Sequence, residues 1–332
     1  IASSQANLLV DSGLPGVTIN TVAGDDIINA AEAGADQTIS GVVTRAAAGD
    51  TVTVTLGGNT YTTTVQGNLS WSISVPAADL QALGNGDLTI NASVTNANGN
   101  TGSGTRDITI DANLPGLRVD TVAGDDIVNS IEHGQALVIS GSSTGGEAGD
   151  VITVTLNSKT YTTTLDASGN WSVGVPASVI SGLADGTVTI SATITDSAGN
   201  SSTQTHNVQV NTAAVSLSVS TISGDNIINA AEAGSALTLS GTGTNFAAGT
   251  VVTVLLNGKG YSATIQNNGS WSVNVPAADV AALADGTSYT VSASAQDSAG
   301  NSATASRSVA VDLTAPVISI NTVSTDDRLN AA

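Results

Sequence analysis

The sequence predicts an all-β protein made of tandem β-sandwich domains that follow one another in a linear rod. Three observations lead to this prediction. The chain of 332 residues repeats itself every 100 residues. Its apolar residues alternate with Thr and Ser, as in half-buried strands, and turn residues interrupt these runs at short intervals. A period of this length is the size of an independent domain and is too long for a solenoid unit.

Markers at fixed positions define the repeat. Three of them recur 100 residues apart, namely a tryptophan (Trp71, Trp171, Trp271), a tyrosine (Tyr61, Tyr161, Tyr261) and a proline (Pro76, Pro176, Pro276). The register slips by one residue near Ser288. We therefore expect the end of a preceding repeat at 1–11, three whole repeats at 12–111, 112–211 and 212–312, and the start of a following repeat at 313–332.

Alternation predicts seven strands, A to G, in the first repeat: 17–21, 37–42, 51–56, 60–65, 71–75, 87–95 and 101–110. Between E and F, the run from Pro76 to Leu83 predicts a short helix whose first residue is pre-set by proline. Seven short strands without βαβ alternation are typical of an Ig-like sandwich. In that topology the A–B connection of one repeat faces the F–G loop of the next, across a segment that we call the joint.

Composition excludes several classes of protein. The 27 acidic residues outnumber the 7 basic residues and give a net charge of -20, which argues against partners such as nucleic acid and anionic membranes. The absence of cysteine excludes disulfides, thiolate metal sites and cysteine nucleophiles. The first apolar run, Leu8 to Val10, is too short for a signal peptide or a membrane span, so we expect no membrane insertion and a chain cut from a longer protein.

The A–B connection carries an acidic motif. Gly24-Asp25-Asp26-Ile-Ile-Asn29-Ala-Ala-Glu32 recurs at 124–132 and 224–232, and further carboxylates end strand G or open the F–G loop. Such oxygens are the ligands that Ca²⁺ takes, six to eight per ion. The sequence therefore predicts calcium ions at the domain junctions, with candidate ligands Asp11, Asp25, Asp26, Glu32, Asp111, Asp125, Asp126, Glu132, Asp196, Asp225, Glu232, Asp297, Asp312, Asp326 and Asp327.

An alternative for the same motif is a solvated turn, in which Asp and Asn bond to their own backbone. Asn211 and Asn226 replace aspartates of the pattern, so we expect the sites to differ in affinity and the second joint to be softer than the first.

The repeats resemble a known family. The motifs Val-Asp-x-x-x-Pro, Gly-Asp-Asp-x-Ile-Asn-x-x-Glu, Trp-Ser-Val-x-Val-Pro and Asp-Ser-Ala-Gly-Asn are similar to those of the bacterial Ig-like repeats of giant non-fimbrial adhesins exported by type I secretion. The resemblance covers the whole chain. It implies secretion to the bacterial cell surface, a rod in which neighbouring repeats of the chain contact each other, and Ca²⁺ near the junctions.

Two classes of function remain, and an enzyme is not expected. His133 and His206 do not recur in other repeats, and no Gly-x-Ser-x-Gly elbow stands in a helix-forming context with a shared histidine and acid. The first class is a calcium-rigidified stalk that presents a distal binding region to host cells. The second is a set of repeats whose tryptophans or acidic loops bind a host glycan or cell-surface glycoprotein, with avidity from repetition. We favour the stalk, with tryptophans in the core and a monomeric chain.

Overall fold

The computed structural model describes residues 12–321. It consists of 51% strand and 7% helix, which confirms the predicted all-β class. Two compact units can be distinguished within the described part of the chain. One comprises the residues up to Val122 together with Val138–Val175 and Thr189–Asn207, and the other comprises Ala123–Leu137, Pro176–Val188 and the residues from Val208 onward. The first repeat thus lies in one unit, the third lies in the other, and the second contributes to both.

The first repeat forms a sandwich of a three-stranded and a five-stranded sheet. Their strand orders are β1-β3-β6 and β2-β8-β7-β4-β5. In chain order the elements are β1 Gly16–Ile19, β2 Ile27–Asn29, α1 Ala30–Ala33, β3 Gln37–Thr44, β4 Thr51–Leu56, β5 Asn59–Thr64, β6 Ser70–Val75, α2 Ala77–Leu83, β7 Gly86–Thr95 and β8 Thr101–Asp111.

The second repeat has the same order of strands, with a single 3₁₀ turn in place of the first helix. Its elements are β9 Gly116–Val119, β10 Ile127–Asn129, the 3₁₀ helix Glu132–Gly134, β11 Leu137–Thr144, β12 Val151–Leu156, β13 Lys159–Thr164, β14 Asn170–Val175, α3 Ala177–Ile180, β15 Gly186–Thr195 and β16 Ser201–Asn211.

The third repeat again forms two sheets, with strand orders β17-β19-β22 and β18-β24-β23-β20-β21. Its elements are β17 Ser216–Leu217, β18 Ile227–Asn229, β19 Leu237–Thr244, β20 Val251–Leu256, β21 Lys259–Thr264, β22 Ser270–Val275, α4 Ala277–Val280, β23 Ser288–Gln296 and β24 Ser302–Asp312.

The predicted strands A to G of the first repeat correspond to β1 and β3–β8 with shifts of one or two residues at most ends. The A–B connection, where no strand was predicted, is partly regular. It contains β2, which pairs in parallel with β8 and places Asn29 opposite Asp111. This pairing satisfies backbone groups that a loop would leave to solvent, and it fixes the end of the A–B connection beside the end of strand G.

Each sandwich core is organised around its tryptophan. Trp71, Trp171 and Trp271 are 1%, 3% and 1% exposed, as expected for core residues. In the first repeat Trp71 lies opposite Gly41 in the β3–β6 pair. A Cβ atom on Gly41 would stand 2.8 Å from the indole ring and 1.8 Å from a backbone oxygen of β1. Glycine is therefore required there, because the ring and the neighbouring strand occupy the space of any side chain.

Candidate functional site

A tight turn lies at the end of the A–B connection and forms one side of each joint. Asn29 accepts hydrogen bonds from the backbone N–H groups of Ala31 (3.0 Å) and Glu32 (3.1 Å), and Glu32 accepts one from Asn29 N–H (3.0 Å). This capping box satisfies three donors. The same bonds recur at Asn129 with Glu132 and at Asn229 with Glu232. We call residues 29–32, 129–132 and 229–232 the cap turns.

The remaining N–H of the first cap turn is bound by the next repeat. Ala30 N–H donates to Oδ1 of Asn200 at 2.7 Å, while Nδ2 of Asn200 donates to the carbonyl of Asp111 at 2.9 Å. Asn200 belongs to the F–G loop of the second repeat and is 3% exposed. One buried amide therefore joins the cap turn and the end of strand G of the first repeat to the second repeat.

The second joint is built in the same way. Ser130 N–H donates to Oδ1 of Asn301 at 2.8 Å, and Nδ2 of Asn301 donates to the carbonyl of Asn211 at 3.1 Å. Asn301 is 2% exposed. We call the loops Asp196-Ser-Ala-Gly-Asn200 and Asp297-Ser-Ala-Gly-Asn301 the docking loops. They confirm the expected approach of an F–G loop to the A–B connection of the preceding repeat.

A second set of side chains holds the linker that follows strand G. At the first joint Asn85 accepts from Ala112 N–H at 3.1 Å, and Asp111 accepts from Asn113 N–H at 3.1 Å. At the second joint Asp185 accepts from both N–H (2.9 Å) and Oγ1 (2.7 Å) of Thr212. These bonds lower the pKa of Asp185 below its ordinary value, with the hydroxyl bond as the largest cause.

The linker after the third repeat begins with the same contact. Asp285 accepts from Leu313 N–H at 2.8 Å, and this bond is the main reason that its pKa is lowered. Asn85, Asp185 and Asp285 were not among the candidate residues drawn from the sequence. The signal that identifies them is an Asn or Asp at 85, 185 and 285, in the repeat's own register.

Asp25 and Asp26 do not approach the docking loop. They precede β2, whereas Asn29 ends it, so about 10 Å of strand separates them from the joint. Asp26 instead binds Arg106 of strand G in a bidentate ion pair of 2.6 and 2.5 Å. The hydrogen bond from Arg106 is the largest cause of the lowered pKa of Asp26. Asp25 accepts from Ile27 N–H at 3.0 Å, as in a turn that is closed by its own side chain.

The equivalent residues follow the same pattern in the other repeats. Asp125 accepts from Ile127 N–H and Asp225 from Ile227 N–H. Asp126 and Asn226 both adopt positive φ, at 63° and 66°, in the same place as Asp26. These residues therefore shape the start of β10 and β18, away from the joints where Asp125, Asp126 and Asp225 were predicted to bind calcium.

Three of the predicted carboxylates, those of Glu32, Asp111 and Asp196, belong to segments that form the first joint. Each already accepts backbone N–H groups: Glu32 from the cap turn, Asp111 from the linker and Asp196 from its own docking loop. Glu132 and Asp297 do the same at the second joint, and Glu232 and Asp312 do so at the end of the third repeat. Asp11, Asp326 and Asp327 lie outside the described residues.

The described carboxylates, as placed, do not form a ready-made cluster of metal ligands. Within residues 12–321 no three carboxylate or histidine side chains lie close enough together to hold a metal ion. The oxygens of Asp196 are engaged by Ala198 N–H, Asn200 N–H and Asn200 Nδ2. The arrangement is that of the alternative considered above, in which Asp and Asn bond to neighbouring backbone groups. Calcium ligation by this set stays a prediction.

The three tryptophans offer no exposed ring on which a sugar could stack, because all of them lie in the cores. His133, the residue after the cap turn of the second repeat, bonds the carbonyl of Leu183 through Nε2 at 2.9 Å and so contacts the segment after α3. In the described part of the chain, no helix has the length and apolar character needed to cross a bilayer.

Comparison with known proteins agrees with this architecture. The family model for the bacterial Ig-like domain matches residues 124–212 and 209–313. No curated protein matches the chain.

Solved structures with at least 30% identity come from large adhesins. One is from work on host cell surface retention of a 1.5-MDa bacterial ice-binding adhesin, at 35% identity over 91% of this chain and 98% of that one, with a TM-score of 0.42. Another is from a Ca²⁺-stabilized adhesin with which an Antarctic bacterium binds ice, at 36% identity over 91% and 75%, with a TM-score of 0.43.

A third is a tetra-tandem repeat in the extending region of a large adhesion protein, at 30% identity over 91% of this chain and 75% of that one, with a TM-score of 0.34. Ig-like repeats of adhesins are typically structural domains without enzymatic activity. The family model covers more than half of the chain, and the sequence identities extend along nine-tenths of it. The chain therefore belongs to the bacterial Ig-like domain family and is similar to the repeat regions of large bacterial adhesins.

Proposed function

We propose that this chain is a stalk segment of a large bacterial surface adhesin, exported by type I secretion, that holds a distal binding region away from the cell and presents it to a host. The observation that carries the proposal is the repetition of one docking contact at both joints, Ala30 to Asn200 and Ser130 to Asn301. A spacer requires consecutive domains to be held by the same contact, whereas independent binding modules need no fixed contact between them.

The competing proposal, repeats that bind a glycan or glycoprotein themselves, has less support. Of its two candidate binding elements, the tryptophans and the acidic loops, the tryptophans are unavailable to solvent, because Trp71, Trp171 and Trp271 are at most 3% exposed. A stalk segment should bind no host ligand on a glycan array. Specific binding of this chain to one glycan class would favour the competing proposal.

Small-angle scattering tests the stalk. A compact globule of 332 residues would have a radius of gyration of about 20 Å. Three sandwiches in line, each about 30–40 Å long, would have a clearly larger radius and a long, rod-like distance distribution. A value near that of the globule would overturn the proposal.

Calcium is a separate part of the proposal. Its support is the acidic composition and the sequence similarity to a structure described as a Ca²⁺-stabilized adhesin. Calorimetry should detect sites with dissociation constants of about 0.1–1 mM, the range of extracellular calcium modules. Replacing Asp111, which lies at the first joint, by Ser should remove a site, while Asp36→Ser, an acidic control outside the predicted set, should not. Equal heats for all three proteins would contradict this ligand.

A further inference from the structure

We propose that Asn200 and Asn301 are the residues that fix consecutive repeats against each other, through hydrogen bonds to the preceding repeat. This inference rests on the proposed stalk function, because it names the contact that would hold the stalk together. Neither asparagine was among the residues that the sequence singled out for function.

The docking loop orients its asparagine before any contact with the preceding repeat. In the second repeat Oδ1 of Asp196 accepts from the N–H groups of Ala198 (3.0 Å) and Asn200 (2.8 Å), and its Oδ2 accepts from Nδ2 of Asn200 (3.0 Å). The backbone closes the same loop, since Asp196 N–H donates to the carbonyl of Asn200. Asp297 makes the same set of bonds around Asn301. The side chain therefore loses little conformational freedom on docking.

Only a primary amide satisfies the surroundings of this side chain. Its Oδ1 must accept from a backbone N–H of the cap turn, and its Nδ2 must donate both to a carbonyl and to the aspartate of the loop. An aspartate at position 200 would place a carboxylate against two oxygen acceptors, Asp111 O and Asp196 Oδ2. An apolar residue would leave three partly buried polar groups, Ala30 N–H, Asp111 C=O and Asp196 Oδ2, without these bonds, which costs stability.

Small residues let the loop approach closely. Ala198 and Ala299, at the tips of the two docking loops, are 7% and 2% exposed. The next residue is glycine in both loops, with φ of +85° and +89°. A Cβ on Gly199 would meet Asn29 Nδ2 at 3.6 Å, and one on Gly300 would meet Asn129 Nδ2 at 3.0 Å. The loop is thus fitted to the cap turn in shape as well as in hydrogen bonding.

Amide hydrogen exchange in the whole chain tests the proposal, and each joint serves as the control for the other. Asn200→Ala removes the acceptor of Ala30 N–H but leaves the Ser130–Asn301 contact intact. With a chelator present, exchange at Ala30 should accelerate by about tenfold or more, as expected for the loss of a buried hydrogen bond. Exchange at Ser130 should stay as in the unaltered chain. Asn301→Ala should give the reverse, and the exposed Asn170→Ala should change neither.

A second measurement asks whether the repeats come apart when the contact is lost. The chain has no cysteine, so spin labels can be placed on Thr62→Cys and Thr162→Cys, two exposed and equivalent strand positions. Asn200→Ala should broaden the distance distribution between the labels, while tryptophan fluorescence confirms that the sandwiches remain folded. Unchanged exchange at Ala30 and an unchanged distribution would overturn the role of Asn200.

Narrow distances that depend on calcium and ignore Asn200 would likewise overturn it, in favour of an ion. An outcome that overturns the role of Asn200 would not overturn the proposed stalk function. The scattering curve of the unaltered chain would still be that of a rod if some other contact held the repeats.

Discussion

The first and second joints share one geometry but carry their charge in different places. At the first joint the linker is held by the neutral Asn85, and strand G ends in Asp111. At the second, the linker is held by Asp185, and strand G ends in Asn211. The docking asparagine makes the same bonds in both. The joint therefore depends on the positions of its hydrogen-bond donors and acceptors, because the carboxylate can lie at the end of strand G or before strand F without altering the contact.

Contrary to the expectation that Asn211 makes the second joint the softer one, its linker has no fewer side-chain bonds than the first. Asn211 accepts from Ala213 N–H as Asp111 accepts from Asn113 N–H. Asp185 adds a bond from the hydroxyl of Thr212. We therefore expect the second linker to be held at least as firmly as the first.

The largest effect is expected when a core substitution unfolds one whole repeat. Trp171→Ala or Trp271→Ala should destabilise its sandwich by about 3–5 kcal/mol, because a large cavity replaces the ring. Loss of the second repeat should expose the amides of both Ala30 and Ser130 to exchange. Loss of the third should expose only Ser130, because Asn200 remains in place. Exposure of Ala30 in Trp271→Ala would show that the joints are not independent.

A smaller effect is expected from the docking glycines. Gly199→Ala and Gly300→Ala both force an L-residue into left-handed backbone, at roughly 1–2 kcal/mol. At Gly300 the added methyl also meets Asn129 at 3.0 Å, against 3.6 Å for Gly199 and Asn29. Amide exchange at Ser130 in Gly300→Ala should therefore accelerate more than exchange at Ala30 in Gly199→Ala.

Gly67→Ala is the matched control for the docking glycines. A Cβ at Gly67 meets nothing within 4 Å and needs no positive φ. It should affect neither joint. Equal acceleration in both docking variants would mean that the difference in approach distance is immaterial.

The next largest effects on amide exchange are expected from the side chains that hold the linkers. Asn85→Ala should speed exchange at Ala112, and Asp185→Ala should speed exchange at Thr212 by more, because two bonds to a carboxylate are lost there. Asp185→Asn keeps an acceptor and should restore most of the protection. If Asp185→Asn were as damaging as Asp185→Ala, charge would matter more at the second joint than the comparison implies.

The smallest effect is a difference in pH dependence. Because the folded pKa of Asp185 lies below its ordinary value, its stabilisation is fully present above the unfolded pKa of about 3.9. It is lost as the pH falls through the folded pKa. Protection of Thr212, corrected for intrinsic exchange, should decline in this acid range. Protection of Ala112, bonded to an amide that does not titrate, should not, and parallel declines would refute the assignment.

The strands were predictable because their evidence is local. Alternation over six or more residues, as in Thr51–Leu56, already identifies a half-buried strand, and turn residues mark its ends. β2 was not predictable in this way, since three residues are too few to show a period. Its existence depends on parallel pairing with β8, which is distant in sequence.

The site was predictable in its location and only partly in its residues. The acidic motif predicted Asp25 and Asp26 as calcium ligands. The pairing of Asp26 with Arg106 was not predictable, because it depends on the register of β2 against β8. Asn200 is uncharged and ends a loop rich in turn residues, so composition does not distinguish it. The informative signal is its recurrence, since an asparagine closes the F–G loop as Asn100, Asn200 and Asn301.

The parallel pairing of β2 with β8 has a consequence for a protein that is pulled. The chain enters the first repeat through β1 and leaves it at the end of β8, so tension draws β2 and β8 in opposite directions along their length. The paired residues from Ile27 with Thr109 to Asn29 with Asp111 are then loaded in shear and must break together, whereas an antiparallel hairpin pulled from its open end would unzip one pair at a time. Three residues of strand, repeated in every domain, would thus set the force at which each sandwich begins to open.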